Sequence, residues 1–93
     1  MKFIKKWLND NNISYSVSEH SKYMIITIIL ENDCVWVNGY GENMLWDHKI
    51  SIYRDGTYKT YTVIEQTGYS LSHTHCLTGK QSEVIRILEN LLK

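Results

Sequence analysis

YMIITIILENDCVWV, running from Tyr23 to Val37, is the most apolar stretch of the chain and decides its architecture. β-Branched residues dominate it, and these fit a pleated, packed surface. On a strand, Met24, Ile26, Ile28 and Leu30 point to one side and Tyr23, Ile25, Thr27 and Ile29 to the other. Apolar residues on both sides predict a central strand. Glu31-Asn32-Asp33 carries turn residues, so the reading places a reversal there and a partner strand over Cys34 to Val37.

Outward from this hairpin the pattern stays antiparallel. Lys2 to Asn11 reads as a helix, with Phe3, Ile4, Trp7 and Leu8 on one face. Ile13 to Ser18 alternates Ile13, Tyr15 and Val17 with serines, the pattern of an edge strand, and His20 falls in the turn that follows. His48–Arg54 and Thr57–Ile64 flank Asp55-Gly56, a two-residue hairpin signal. That register sets Tyr53 opposite Tyr58 and Ile52 opposite Lys59, with Ile50, Ile52, Tyr61 and Val63 on the core side. After a turn at Gln66-Thr67-Gly68 comes a strand from Tyr69 to Leu77. Thr78 and Gln81 then form a capping box for a last helix striped by Val84, Ile85, Leu88, Leu91 and Leu92. The expected class is α+β: an N-terminal helix, an antiparallel meander of five or six strands and a C-terminal helix, both helices on one sheet face. The 93 residues form one compact domain, 1–93, which buries roughly 60–65% of its unfolded surface.

Ten basic and ten acidic residues cancel, so no net field draws the whole molecule to nucleic acid or an anionic membrane. The charges are unevenly placed, however. Residues 23–48 hold Glu31, Asp33, Glu42 and Asp47 and no Lys or Arg. Cys34 and Cys76 are too few for a disulfide framework and are not spaced as a redox pair, so both read as buried, reduced thiols of a cytoplasmic protein. MKFIKKWL lacks the apolar core of a signal peptide, and no apolar run reaches the ~20 residues that span a bilayer. No membrane association is expected.

His73 and His75 share one side of a strand, with Cys76 expected on the other, and leave room for a metal or phosphate between them. No spacing in the chain supplies the remaining ligands, so neither a metal nor a cofactor is assigned. His73-Thr74-His75 resembles half of the paired signature of two-histidine phosphoesterases, but there is no second motif and no hydroxyl residue at its third position. Thr78-Gly79-Lys80-Gln81-Ser82 resembles the end of a phosphate-binding P-loop. Thr74 stands where that motif needs Gly, and Gln81 where it needs Ser or Thr. The element order resembles the double-stranded-RNA-binding domain, but Lys80 stands alone where that domain has a basic cluster. Asp47 and His48 are adjacent and point to opposite faces. The chain reads as a non-enzyme with no catalytic residues.

Two binding readings follow. In the first, the protein is a small binding module for another protein. Its surface is the stretch from Trp36 to Asp47, with Trp36, Tyr40, Glu42, Met44, Trp46 and Asp47 as partner-binding residues. Large apolar side chains among acidic ones suit an interface, because aromatic anchors dominate interface energies. Leu45 and Trp46 either stay exposed here or fold back onto the core. In size and character the chain resembles phage and mobile-element inhibitors of host defence, including anti-CRISPR proteins. An acidic patch suits a partner with a basic or nucleic-acid-binding groove. In the second reading the outer sheet face binds single-stranded nucleic acid. Tyr53 and Tyr58 are its stacking platforms, and Lys49, Arg54 and Lys59 meet phosphates.

Overall fold

A computed structural model describes residues 1–68 and 71–92, except for the side chains of Asn32, Asp33, Cys34 and Trp36. The elements run α1 (Lys2–Asp10), β1 (Ser16–Glu19), β2 (Tyr23–Val37), β3 (Asn43–Asp55), β4 (Thr60–Gln66), β5 (Ser72–Thr78) and α2 (Gln81–Leu92). The strands form a five-stranded antiparallel meander in the order β1-β2-β3-β4-β5. The fold is α+β, with both helices on one face of an open sheet.

Strand parity builds the core. Ile26 faces Ile52, which faces Val63, and Ile28 faces Ile50. These residues, with Tyr61, pack against Ile4 and Leu8 of α1 and Val84 and Leu88 of α2. Each fully buried aliphatic side chain contributes about 1.5–3 kcal/mol by leaving water. The helices thus share the sheet face that carries Ile50, Ile52, Tyr61 and Val63, as the alternation predicts.

The turns differ more from expectation. Glu31-Asn32-Asp33 does not reverse the chain: β2 continues through it, with a register irregularity between Leu30 and Cys34. The reversal lies at 38–42, where the Asn38 carboxamide oxygen accepts bonds from the Tyr40 and Glu42 amides at 2.9 and 3.0 Å. Gly41 sits there at φ +78°, which L side chains adopt at a cost. Two strong strand segments flanking a weak turn triad favour one bulged strand, and Asn38-Gly39-Tyr40-Gly41 supplies the better turn chemistry.

The hairpin at Asp55 also differs, having a four-residue connection rather than two. The Asp55 carboxylate accepts bonds from the Thr57 and Tyr58 amides at 2.8 and 3.1 Å, and Lys59 takes the left-handed conformation at φ 54°. Tyr53 therefore faces Thr62, and Ile52 faces Val63. Tyr58 and Lys59 are turn residues and form no cross-strand pairs. The first strand is shorter than the reading of Ile13–Ser18. Asn12, at φ 57°, and an amide bond from Ile13 to the Leu8 carbonyl at 2.9 Å close α1 before β1 begins.

The capping box is replaced by a tertiary cap. The Gln81 side-chain oxygen accepts from the amides of Phe3 and Ile4 at 3.0 and 3.3 Å, so the start of α2 satisfies the first turn of α1. Gln81→Ala is expected to cost about 1 kcal/mol in urea unfolding, and Gln81→Glu to cost less, because a carboxylate favours a helix N-terminus. Equal losses in the two variants would remove capping as the explanation.

Candidate functional site

β2 and β3 outrun their neighbours. β1 pairs with β2 only as far as Thr27, and β4 pairs with β3 only from Lys49 onward. Beyond those points the two strands continue alone as a ribbon closed by the 38–42 turn. β3 as a whole has 13 residues, which at about 3.3 Å each span roughly 43 Å and account for the 44 Å long axis of the molecule. The ribbon is an arm. Its pairs are Cys34 with Trp46, Val35 with Leu45, Trp36 with Met44 and Val37 with Asn43.

That register sorts the arm by face. Val35, Val37 and Leu45 share one side and are 67%, 58% and 61% exposed. Met44 lies on the other side, 44% exposed, and Tyr40 at the tip is 90% exposed. Glu31, Glu42 and Asp47 are exposed along the same ribbon. Where the arm leaves the sheet, Ile29, Leu45, Trp46, Asp47, Lys49 and Gln66 line an open hollow of about 450 Å³. Trp46 is half-buried there, whereas Leu45 stays in solvent. The structure thus gathers Tyr40, Glu42, Met44, Trp46 and Asp47 on one projection, while the Trp36 side chain lies outside the described residues. Val35 lies outside the expected surface stretch of Trp36 to Asp47, and Val37 lies within it without being among its expected partner-binding residues. An apolar alternation on a strand reads as core until the neighbouring strands are known to be absent.

The residues of the alternative nucleic-acid face do not come together. Lys49 and Tyr53 lie on the outer face. Arg54 faces the helices, between Met24 and Tyr61, and Tyr58 and Lys59 occupy the turn. Odd and even positions of one strand point to opposite sides, so Arg54 cannot share a face with Tyr53. Tyr53 stacks on Tyr23, with centroids 5.2 Å apart, and Tyr23 on His20 at 4.2 Å.

A second constellation lies at the root of the arm. Strand parity drives Glu65 onto the helix-facing side, opposite Ile50, where an apolar residue would otherwise stand. A carboxylate in that position needs partners. His48 Nε2 bonds to Glu65 Oε2 at 2.5 Å and His75 Nε2 to Oε1 at 2.7 Å, with side-chain exposures of 10%, 17% and 23% for His48, Glu65 and His75. An ionised carboxylate only accepts, so both imidazoles present Nε2–H to it. Burial pushes the Glu65 carboxyl up, but the hydrogen bonds from His75 and His48, aided by their charges, outweigh it. They hold Glu65 below its ordinary value of 4.5.

His75 reaches this position through a bulge. β5 slips register between Val63 and Ile64, leaving His75 as the extra residue between Thr74 and Cys76. The bulge breaks the two-residue alternation, so Cys76 does not face away from His75 as expected but packs against the core. The Cys76 thiol is free and half-buried, and burial raises its pKa, which makes it a poor nucleophile. His73 is exposed, with its ring edge-on to His75 at 4.6 Å. Among the described residues no group of three or more His, Cys, Asp or Glu side chains is placed to hold a metal ion. The ring nitrogens of His48 and His75 bond instead to opposite oxygens of one carboxylate. No described helix is long and apolar enough to cross a membrane.

No protein-family model matches the sequence, and neither a curated protein nor a solved structure matches it.

Proposed function

We propose that the protein is a binding module that engages another protein through the β2–β3 arm. The observation carrying this reading is the exposed stripe of Val35, Val37 and Leu45 on a ribbon with no sheet neighbours. A two-stranded ribbon is at best marginally stable in water, and contiguous exposed apolar side chains mark interaction surfaces. The arm carries exposed Glu31, Glu42 and Asp47, and residues 23–48 contain no Lys or Arg. The complementary partner is a protein with an apolar-floored, basic groove. Complementary charge speeds encounter and selects among grooves, while the apolar stripe and Tyr40 supply the affinity. An arm of this chemistry suits an inhibitor that fills the nucleic-acid-binding groove of its target.

The test is site-specific photo-crosslinking in nuclease-treated lysate of the source organism. A crosslinker at Tyr40 is expected to capture one stoichiometric protein, and the same group at Tyr58, 77% exposed at the opposite end, is expected to capture none. Equal capture from both positions, or capture that nuclease abolishes, would remove the arm as the binding surface.

A further inference from the structure

The end of the molecule opposite the arm holds an arginine without a counter-charge. Arg54 occupies the last helix-facing position of β3, its guanidinium carbon 6.0 Å from the Tyr61 ring centroid. Its Nε is buried and has no hydrogen-bond partner. Among the described residues no carboxylate lies within ion-pair distance of it. A buried, unpaired donor on a permanently charged group is costly and calls for a partner. The neighbourhood is also cationic. The Met1 ammonium is lowered first by burial and then by the charges of Arg54 and Lys5.

Arg54 borders a hollow of about 190 Å³ between the β1–β2 turn and the start of the β3–β4 turn, whose other walls include Lys22, His20, Tyr23, Gly56 and Glu19. The two turns are held together by the Gly56 amide, which bonds to the Lys22 carbonyl at 2.8 Å. A Cβ on Gly56 would come within 3.0 Å of that oxygen, so the close approach depends on glycine. The space admits a tetrahedral oxyanion with several waters, at about 30 Å³ per water.

We propose that this hollow is an oxyanion site, and that it takes a phosphate group on the guanidinium fork of Arg54 with Lys22 as second cation. A planar guanidinium matches phosphate geometry with two parallel hydrogen bonds, and Lys22 adds a mobile point charge at the mouth. Glu19 on the rim opposes the anion and limits its affinity.

The experiment is a titration of the labelled protein with inorganic phosphate, following the Arg54 Nε–H and Gly56 amide resonances by NMR, with sodium chloride at matched ionic strength as reference. Saturable shifts with phosphate and none with chloride are expected. Arg54→Gln should weaken binding more than about tenfold, as loss of a charge-assisted bond requires. Lys22→Gln should weaken it about two- to fivefold and Glu19→Gln should tighten it by a similar factor, the range of exposed charge pairs. Because Lys22 and Glu19 are exposed, these two variants keep the test decisive if Arg54→Gln unfolds. Shifts that do not saturate, or an affinity unmoved by the Lys22 and Glu19 variants, would overturn the site. Adenosine monophosphate binding more tightly than inorganic phosphate would assign the site to nucleotides, and equal affinity would assign it to free phosphate.

Discussion

Glu65→Ala is expected to lower the unfolding free energy by about 2–4 kcal/mol, the largest loss from any single polar residue here. Two ring nitrogens, His48 Nε2 and His75 Nε2, lose their acceptor at once in a site where His48 is 10% exposed. Each buried donor left unpaired costs about 1–3 kcal/mol. For a domain of this size that is a fall of roughly 10–25 °C in melting temperature. The same bonds set an acid limb. Glu65 is held below its ordinary value of 4.5, so the unfolded chain takes up this proton at a higher pH than the folded one. The stabilisation is complete above the ordinary glutamate range and is lost as pH falls through the depressed folded value. Urea unfolding from pH 7 to pH 3 should therefore show the gap between wild type and Glu65→Ala narrowing once pH falls below the ordinary glutamate value. A constant gap across that range would mean that Glu65 acts through packing and not through its charge.

Val37→Asp combined with Leu45→Asp should abolish partner capture while leaving the melting temperature within a few degrees of wild type. Both side chains are more than half exposed and share one face of the arm, so the folded state loses little buried surface. Added charge on that face meets the apolar floor of the partner and the loss falls on binding. Interface anchors cost about 2 kcal/mol or more when removed, so each substitution should weaken binding about thirtyfold. The readout is titration of the captured partner alongside a thermal melt of the free protein. A large drop in melting temperature with binding intact would show that the stripe holds the arm together rather than holding a partner.

The two substitutions separate what each part of the molecule contributes. Glu65 and its histidines tie β3, β4 and β5 together where the arm departs, because His48 is the first β3 residue beyond the β4 pairing. The stripe itself lies further out, on residues that no third strand covers. Loss of the first weakens the platform, and loss of the second removes the surface it presents.

Much of the fold could be read from periodicity. The alternation of Ile26 with Ile28, Ile50 with Ile52 and Tyr61 with Val63 placed these residues on one face, and the stripe of Val84 and Leu88 placed α2 over it. Strand parity is a local property of the backbone, so these assignments needed no knowledge of neighbours. Pairing register and strand length were not local. Whether Glu31-Asn32-Asp33 turns or bulges depends on what β3 offers opposite it, and the four-residue connection after Asp55 depends on the Asx turn competing with a tighter hairpin. The candidate site divides the same way. Tyr40, Glu42, Met44, Trp46 and Asp47 stood out as apolar and acidic residues in company, but their projection from the sheet follows from β1 and β4 ending early. The joining of His48, Glu65 and His75 required three strands in register and one bulge. By itself the sequence determined the class of fold, its core face and its acidic middle, because these rest on residue type and two-residue or helical repeats. Only the tertiary structure decided which apolar residues are surface, where Arg54 points and which side chains meet, because those depend on contacts between positions far apart in the chain.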